Sequence, residues 1–113
     1  MPRIVLASAS VSRRRLLESA GLKPTIMVSH VDEETDFFNA MTPADMVIAL
    51  AITKAHTIRE QIDFPAIIIG CDSTFEFDSQ SLGKPATPEI AIERASRVRG
   101  NTGLLHTGHC IID

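Results

Sequence analysis

The chain has 113 residues, enough for one domain with a modest buried core. Its net charge of −3 and its lack of Trp and Tyr argue against an extended basic or base-stacking surface for nucleic acid. Two cysteines are too few for a disulfide framework, and no apolar segment reaches the length of a membrane span. We therefore expect a single domain, residues 1–113, of a cytoplasmic protein that binds neither nucleic acid nor membrane.

The first part of the chain alternates strand and helix patterns. Residues 3–7 form an apolar strand, residues 8–10 are a turn of small side chains, and a helix follows to about Ala20. Residues 25–28 predict a second short strand. The acidic segment 29–40 has no clear periodicity, so we predict an irregular loop there.

The second part begins with a strong helix start, in which a capping threonine precedes a proline, and this helix spans residues 42–61. Residues 66–69 predict a buried strand that ends in the small and polar segment 70–74. Apolar and polar residues then alternate up to Phe77, and a turn is predicted at residues 78–81. Lys84 follows this turn, so that the Asp72 carboxylate and a lysine flank one predicted hairpin.

A third helix begins at Thr87-Pro88 and ends at Gly100, and residues 104–113 predict a last strand. Helices thus alternate with strands along the chain, except at the hairpin, where two strands follow each other directly. This order predicts an α/β fold whose sheet has mixed strand directions.

Two cations fall on apolar helix faces. Arg13 shares one face of the first helix with Leu16 and Leu17, and Lys54 interrupts the apolar stripe of the second. That stripe consists of Val47, Leu50, Ala51, Lys54, Ala55 and Ile58. Each cation either pairs with a structural carboxylate or reaches solvent, or it binds an anionic ligand. Because Arg13, Lys54 and Lys84 all lie near the ends of predicted elements, we favour a shared anion site.

The first strand-to-helix turn is a second candidate for anion binding. Ser8 and Ser10 precede the helix, where free backbone N–H groups and the helix dipole attract phosphate. Arg13 adds donors one turn later. The alternative is that Ser10 only caps the helix.

Acidic side chains provide the candidate chemistry. Asp72 follows the buried strand, where open α/β sheets bind ligands, and it suits either a general base or a metal ligand. Together with Asp32 or Glu33 it would suffice for Mg²⁺, which binds one or two carboxylates plus substrate phosphates. The alternative for the segment 32–34 is a solvated loop face. Both roles of Asp72 stay open at this point.

His106, His109 and Cys110 superficially suggest zinc. His106 and His109 are separated by an odd number of residues, so they lie on opposite faces of a strand. Only two ligands would then share a face, which is too few for a structural zinc site.

Six short motifs, in order, resemble those of the Maf family of septum-formation-inhibitor-like proteins. They are Leu6-Ala7-Ser8-Ala9-Ser10 with Arg13, Val31-Asp32-Glu33-Glu34, Lys54-Ala55, Gly70-Cys71-Asp72-Ser73, Leu82-Gly83-Lys84-Pro85, and Arg99-Gly100 through His106-Thr107-Gly108. The resemblance covers essentially the whole chain. It implies a mixed-sheet α/β fold related to inosine triphosphate pyrophosphatases. It also implies a cytoplasmic enzyme that uses Mg²⁺ or Mn²⁺ to hydrolyse a pyrimidine or modified nucleoside triphosphate to the monophosphate and pyrophosphate.

The resemblance assigns roles by position. Asp72 is the implied proton acceptor, and Glu33 and Asp72 are the implied metal ligands. The implied substrate-binding residues are Ser8, Ser10 and Arg13 at the phosphates, Lys54 and Lys84 in the charged cleft, and Ser12 and Ser73 at positions linked to base selection.

The chain departs from the family pattern in four ways. Val11 stands where many members have proline, Ser12 replaces an arginine or tryptophan, and the element beginning at Arg99 lacks its usual histidine. A later family segment that shapes the nucleotide pocket is absent, so the chain resembles the amino-terminal part of the fold. The alternative function is therefore a catalytically weak or inactive nucleotide-binding or interaction module, and an exposed sheet edge favours a homodimer.

Overall fold

The computed structural model describes residues 3–82 and 87–113. Its strands are β1 (Arg3–Ala7), β2 (Thr25–Ile26), β3 (Ala66–Phe77), β4 (Gln80–Leu82) and β5 (Leu104–Ile112). Its helices are α1 (Val11–Ser19), α2 (Asp36–Asn39), α3 (Pro43–Gln61) and α4 (Pro88–Val98). The predicted α/β fold is confirmed, and most of the predicted elements agree with these bounds to within two residues.

The sheet is built around β3. The strand order is β2-β1-β3-β4, and β5 pairs with β3 on its other side. β1 runs parallel to β2 and β3, whereas β4 and β5 run antiparallel to β3. The predicted mixture of strand directions is therefore confirmed.

β3 is longer than predicted. The expected strand ended at Ile69, but β3 continues through the polar segment 70–74 to Phe77. Strand pairing extends β3, because β5 pairs with it from Ile68 to Glu76 and satisfies the backbone hydrogen-bonding groups of that segment. Asp72 consequently lies within a strand and not in a loop after one.

Smaller differences occur in the first half of the chain. β2 covers only residues 25–26, and the segment predicted to be irregular contains the single-turn helix α2. The Thr35 hydroxyl caps α2 by accepting a hydrogen bond from the backbone N–H of Phe38, whose side chain is buried. This local cap and one buried aromatic ring order a turn that has no sequence periodicity of its own.

α3 covers one face of the sheet, as its apolar stripe predicts. Val47, Leu50, Ala51, Ala55 and Ile58 are all buried. Two glycines of the sheet allow the close approach of this helix. A Cβ at Gly70 would lie 2.2 Å from the Ala51 carbonyl oxygen, and one at Gly108 would lie 2.5 Å from the Val47 carbonyl oxygen.

α1 and α4 lie at the periphery and contain no buried residue. The predicted inward face of α1 is therefore wrong for Leu16, which is 70% exposed, whereas Arg13 and Leu17 are half-buried. Hydroxyl caps nevertheless define the starts of the long helices, with Ser10 before α1 and Thr42 before α3. Within the described part of the chain, no helix is both long and apolar enough to cross a membrane.

The predicted hairpin joins β3 to β4. Asp78 and Ser79 form its two-residue turn with φ values of 55° and 61°, which is the left-handed backbone of a type I′ turn. Lys84, predicted to lie just after this hairpin, falls outside the described residues.

Candidate functional site

The candidate site lies where β1 ends beside the middle of β3. Ala7 pairs with Gly70, so Ser8 leaves the sheet next to the segment that contains Asp72. α1 begins shortly after β1, and α3 packs closely over Gly70. These two helices therefore each bring one cation to residues 71–73 of β3.

The Arg13 side chain connects three pieces of chain. Its Nη1 donates to the Ser8 Oγ at 3.1 Å and to the Cys71 carbonyl oxygen at 3.4 Å, and its Nη2 donates to the Ser73 Oγ at 2.8 Å. The Ser73 hydroxyl also lies 2.9 Å from the Thr107 hydroxyl on β5. The guanidinium is thus held by hydroxyl and carbonyl oxygens, with no carboxylate among these partners.

Lys54 joins two carboxylates. Its Nζ lies 2.8 Å from Asp72 Oδ1 and 2.9 Å from Glu33 Oε1. The Lys54 and Asp72 side chains are only 14% and 13% exposed, whereas Glu33 is 45% exposed. Lys54 therefore pairs with carboxylates, which is one of the interpretations left open for it, and its binding of an anionic ligand stays a prediction.

The two clusters approach β3 from different sides. Asp72 and Ser73 are consecutive strand residues, so their side chains point to opposite faces of the sheet. Lys54 reaches Asp72 from the face covered by α3, and Arg13 lies along β3 just past the end of β1, where it contacts the Cys71 carbonyl oxygen and the Ser73 hydroxyl. The cations predicted to share a site therefore meet at adjacent residues of one strand.

Burial and charge shift the pKa values of this cluster. Burial raises the pKa of Asp72 above its ordinary value and Glu33 adds to the rise, while Lys54 opposes it. Burial lowers the pKa of Lys54, but the hydrogen bonds and charges of Asp72 and Glu33 outweigh this, and the net pKa is raised. Burial also raises the pKa of the Cys71 thiol. Asp72 is thus a carboxylate with increased proton affinity, and Lys54 is a firmly charged cation.

The turn before α1 is built from serine hydroxyls. Ser10 Oγ accepts a hydrogen bond from the Arg13 backbone N–H at 3.3 Å, and Ser8 Oγ accepts one from the Ser10 backbone N–H at 3.2 Å. Ser10 is therefore the helix cap, which was one of its two predicted interpretations. Ser8 is buried and holds both the turn and the Arg13 guanidinium.

Ser12 and Lys84 are not brought into this arrangement. Ser12 lies exposed in the first turn of α1, and its hydroxyl makes no hydrogen bond to the residues that the structure describes. Lys84 lies outside those residues. Asp32, the alternative to Glu33, accepts a hydrogen bond from the Glu34 backbone N–H and shapes the acidic loop.

Glu33 and Asp72 have the donor chemistry of a divalent-cation site. Their oxygens converge on one ammonium group, so both carboxylates already surround a positive charge. Two carboxylates suit Mg²⁺ or Mn²⁺ when substrate phosphates supply further oxygens. Among residues 3–82 and 87–113, no group of three or more His, Cys, Asp or Glu side chains forms a fuller metal site.

Sequence reasoning missed several polar partners. Thr107 was recognised only as part of a motif, and its contact with Ser73 depends on the register of β5 against β3. The sequence indicates His106 only as a motif residue and a doubtful zinc ligand, but its Nε2 lies 2.9 Å from Glu76 Oε1. Asp72 and Glu76 are four residues apart and therefore lie on one face of the strand, and this spacing is the signal that could have placed Glu76 near the site.

Comparison with known proteins supports the motif resemblance. The family model described as "Maf-like protein" matches residues 3–113. A protein of Thermosynechococcus vestitus named "Nucleoside triphosphate pyrophosphatase" is 47% identical over 109 residues, which cover 96% of this chain and 54% of that protein. A protein of the same name from Streptomyces coelicolor is 47% identical over 112 residues, which cover 98% of this chain and 53% of that protein.

The similarity extends along nearly all of this chain, which spans about half the length of the curated relatives it matches. A Prochlorococcus marinus protein that is also named "Nucleoside triphosphate pyrophosphatase" is 47% identical over 109 residues, with 96% and 58% of the two chains covered. Motif order, fold and whole-chain identity agree, and the chain belongs to the Maf-like protein family.

Proposed function

We propose that this protein is a nucleoside triphosphate pyrophosphatase that releases a nucleoside monophosphate and pyrophosphate. The observation that carries the proposal is the half-buried Asp72, which has an increased proton affinity and lies 2.8 Å from the Lys54 ammonium. Arg13 reaches the next residue of the same strand. A proton acceptor beside two cations suits water attack on a polyphosphate, and the names of the relatives agree with this reaction.

The reaction proceeds by displacement at the α-phosphorus. Asp72 accepts a proton from water while the water oxygen forms a bond to that phosphorus. The bond between the α-phosphorus and its bridging oxygen breaks, and pyrophosphate leaves with the electron pair. Arg13 and Lys54 stabilise the negative charge that develops on the leaving group.

Phosphate binding also prepares the base. In the protein alone, the Lys54 ammonium is shared between Glu33 and Asp72. A bound polyphosphate competes for the same ammonium and weakens its hold on Asp72. Because Lys54 lowers the pKa of Asp72, this competition makes the carboxylate a stronger proton acceptor.

The finer features of the proposal come from the family resemblance and from the donor set. Glu33 and Asp72 would hold Mg²⁺ or Mn²⁺, which would supply positive charge at the phosphates. Ser8, Ser10 and Lys84 are proposed substrate contacts, and Ser12 and Ser73 are proposed to influence the choice of base. The proposed substrate is a pyrimidine or modified nucleotide of the cytoplasm.

Replacing the proposed base tests this function. We expect Asp72→Asn to lower the rate of pyrophosphate release by about 10²- to 10⁴-fold, since the amide cannot accept the proton. The measurement is pyrophosphate release from a panel of nucleoside triphosphates with Mg²⁺ or Mn²⁺. Asp63→Asn, an exposed acid that follows α3, is the matched control and should retain the wild-type rate.

Two outcomes would contradict the proposal. One is an Asp72→Asn variant that keeps the full rate. The other is a wild-type chain that binds the nucleotides in a thermal-shift screen but releases no pyrophosphate, which would instead support a binding module without turnover.

A further inference from the structure

Four polar side chains form a second cluster on the sheet face that carries Asp72. They are Thr74 and Glu76 on β3, Ser81 on β4 and His106 on β5, which we call the three-strand cluster. Strand register brings them together, because Glu76 pairs with Ser81 and Thr74 pairs with His106. None of them contributes to the proposed hydrolytic step.

Direct contacts hold the three-strand cluster together. The His106 Nε2 lies 2.9 Å from Glu76 Oε1, so the ring N–H donates to the carboxylate. The Thr74 and Ser81 hydroxyls are hydrogen-bonded to each other. Thr74 is buried, and the His106 and Glu76 side chains are 22% and 27% exposed. The cluster is thus ordered by its own contacts and remains accessible at its imidazole and carboxylate.

Two polar atoms of the three-strand cluster are available to bind a ligand. Within the described part of the chain, the second Glu76 oxygen and the His106 Nδ1 have no hydrogen-bond partner. A carboxylate oxygen accepts hydrogen bonds, and a neutral imidazole offers one donor and one acceptor. These atoms suit a neutral ligand with hydroxyl or amide groups, and the negative Glu76 disfavours a phosphate.

The position of the three-strand cluster relative to Asp72 indicates which part of a nucleotide it could bind. Asp72, Thr74 and Glu76 follow one another on a single face at intervals of about 7 Å along the strand. The cations Arg13 and Lys54 contact residues 71–73, at one end of this row. If the polyphosphate binds at the cations, the remainder of the nucleotide lies next to the three-strand cluster.

We propose that the three-strand cluster binds the nucleoside part of the substrate, with Glu76 and His106 contacting sugar hydroxyls or the polar edge of the base. This inference rests on the proposed function, in which Asp72 acts at the α-phosphorus. That phosphorus is the one bonded to the nucleoside, so the nucleoside extends from Asp72 away from the cations. Glu76 and His106 then determine how much tighter a nucleotide binds than a bare polyphosphate.

Binding measurements on the full 113-residue chain test the inference independently of turnover. The probes are the α,β-methylene analogues of the common pyrimidine and purine nucleoside triphosphates, and inorganic tripolyphosphate. We expect the wild-type chain to bind at least one analogue about tenfold or more tightly than tripolyphosphate. His106→Ala and Glu76→Gln should reduce this ratio to near one, with the affinity for tripolyphosphate unchanged within about twofold.

His109→Ala is the matched control, because His109 lies exposed on the same strand and pairs with Cys71 on the opposite face. It should keep the wild-type ratio. If His106→Ala does not fold, His106→Gln, which retains a side-chain donor and acceptor, replaces it and should lower the ratio less.

The inference is overturned if the wild-type chain shows no preference for the analogues, or if the folded His106 and Glu76 variants keep that preference. It is also overturned if these variants lose affinity for tripolyphosphate equally, since that indicates a purely structural role. Failure of the hydrolytic proposal is a different result, namely selective nucleotide binding without pyrophosphate release.

Discussion

Lys54 determines the electrostatics of the candidate site because it is the common partner of Asp72 and Glu33. Two carboxylates at such proximity repel each other unless a cation lies between them. Because Asp72 and Lys54 are partly buried, removing one of them costs more free energy of unfolding than removing one partner of an exposed surface ion pair. Removing the lysine therefore affects both the stability of the fold and the proton affinity of Asp72.

Lys54→Met should lower the free energy of unfolding by about 2 kcal/mol, because it leaves Asp72 without its cation. The double variant Lys54→Met/Asp72→Asn should recover about 1 kcal/mol of that loss, since the neutral amide needs no cation. Urea unfolding measures both values. As a control, Arg97→Met removes an exposed ion pair with Glu93 and should cost less than about 0.5 kcal/mol. Equal costs for the lysine and arginine variants would contradict the assignment.

The pKa of Asp72 gives a separate prediction. Burial raises it above the ordinary value of 3.8, with a further rise from Glu33, so the folded protein binds this proton more tightly than the unfolded chain. The contribution of Asp72 to the free energy of unfolding must then fall as the pH rises from 3.8 through the folded pKa. Lys54→Met should raise the pKa further, because Lys54 lowers it.

NMR titration of the Asp72 carboxyl carbon measures this pKa directly in both proteins. The acidic limb of the pH–rate profile should move to higher pH in Lys54→Met, since the base must be ionised to accept a proton. A folded pKa at or below 3.8, or a shift to lower pH in the variant, would disprove this account of the cluster.

At the scale of elements, the site depends on how closely α3 approaches the sheet. Gly108 pairs with Asp72, and α3 passes directly over it at Val47. The contact is made to helix backbone, which cannot turn away as a flexible side chain can. A methyl group at this position therefore displaces the helix that carries Lys54.

Gly108→Ala should destabilise the fold by about 3 kcal/mol, because the new Cβ would lie 2.5 Å from the Val47 carbonyl oxygen. It should also reduce pyrophosphate release by moving Lys54 away from Asp72. Thermal unfolding and the pyrophosphate assay measure the two effects. The neighbouring His109→Ala, on the exposed face, should change stability by less than about 0.5 kcal/mol. A fully stable and active Gly108→Ala variant would show that this close approach is unimportant.

At the scale of the whole molecule, the chain is more extended than a compact domain. Its radius of gyration is 15.5 Å, compared with about 13 Å for a compact domain of about 100 residues. α1 and α4 bury none of their residues, and one face of β5 exposes apolar side chains. Leu105 and Ile111 on that face are 72% and 68% exposed.

We propose that a homodimer forms through this apolar face of β5, and not through the exposed sheet edge expected from the sequence. Sedimentation velocity should reveal a dimer whose fraction increases with protein concentration, and Leu105→Lys with Ile111→Lys should shift it to the monomer, because lysine resists burial. Ile92→Lys changes an equally exposed side chain on α4 and should leave the dimer intact. A monomer at all concentrations, or an equal effect of all three changes, would exclude this face as the interface.

Local signals predicted most elements of the fold. The Thr42-Pro43 start and the apolar stripe placed α3 correctly, because a cap and 3.6-residue periodicity act within one element. The length of β3 was underestimated because partner strands, and not its own polar residues, extend it. The predicted inward face of α1 is wrong at Leu16 because no buried partner covers most of its side chain, which stays 70% exposed.

The sequence by itself determined the order of the elements, the caps, the family motifs and the identity of the candidate residues. Only the tertiary structure decided that Lys54 joins Asp72 to Glu33, that Arg13 reaches Ser73, and that Glu76 meets His106. The physical reason is that these contacts depend on strand register and on the approach of α3 over Gly70 and Gly108. Register and helix placement are set by packing between distant segments, which no local pattern encodes.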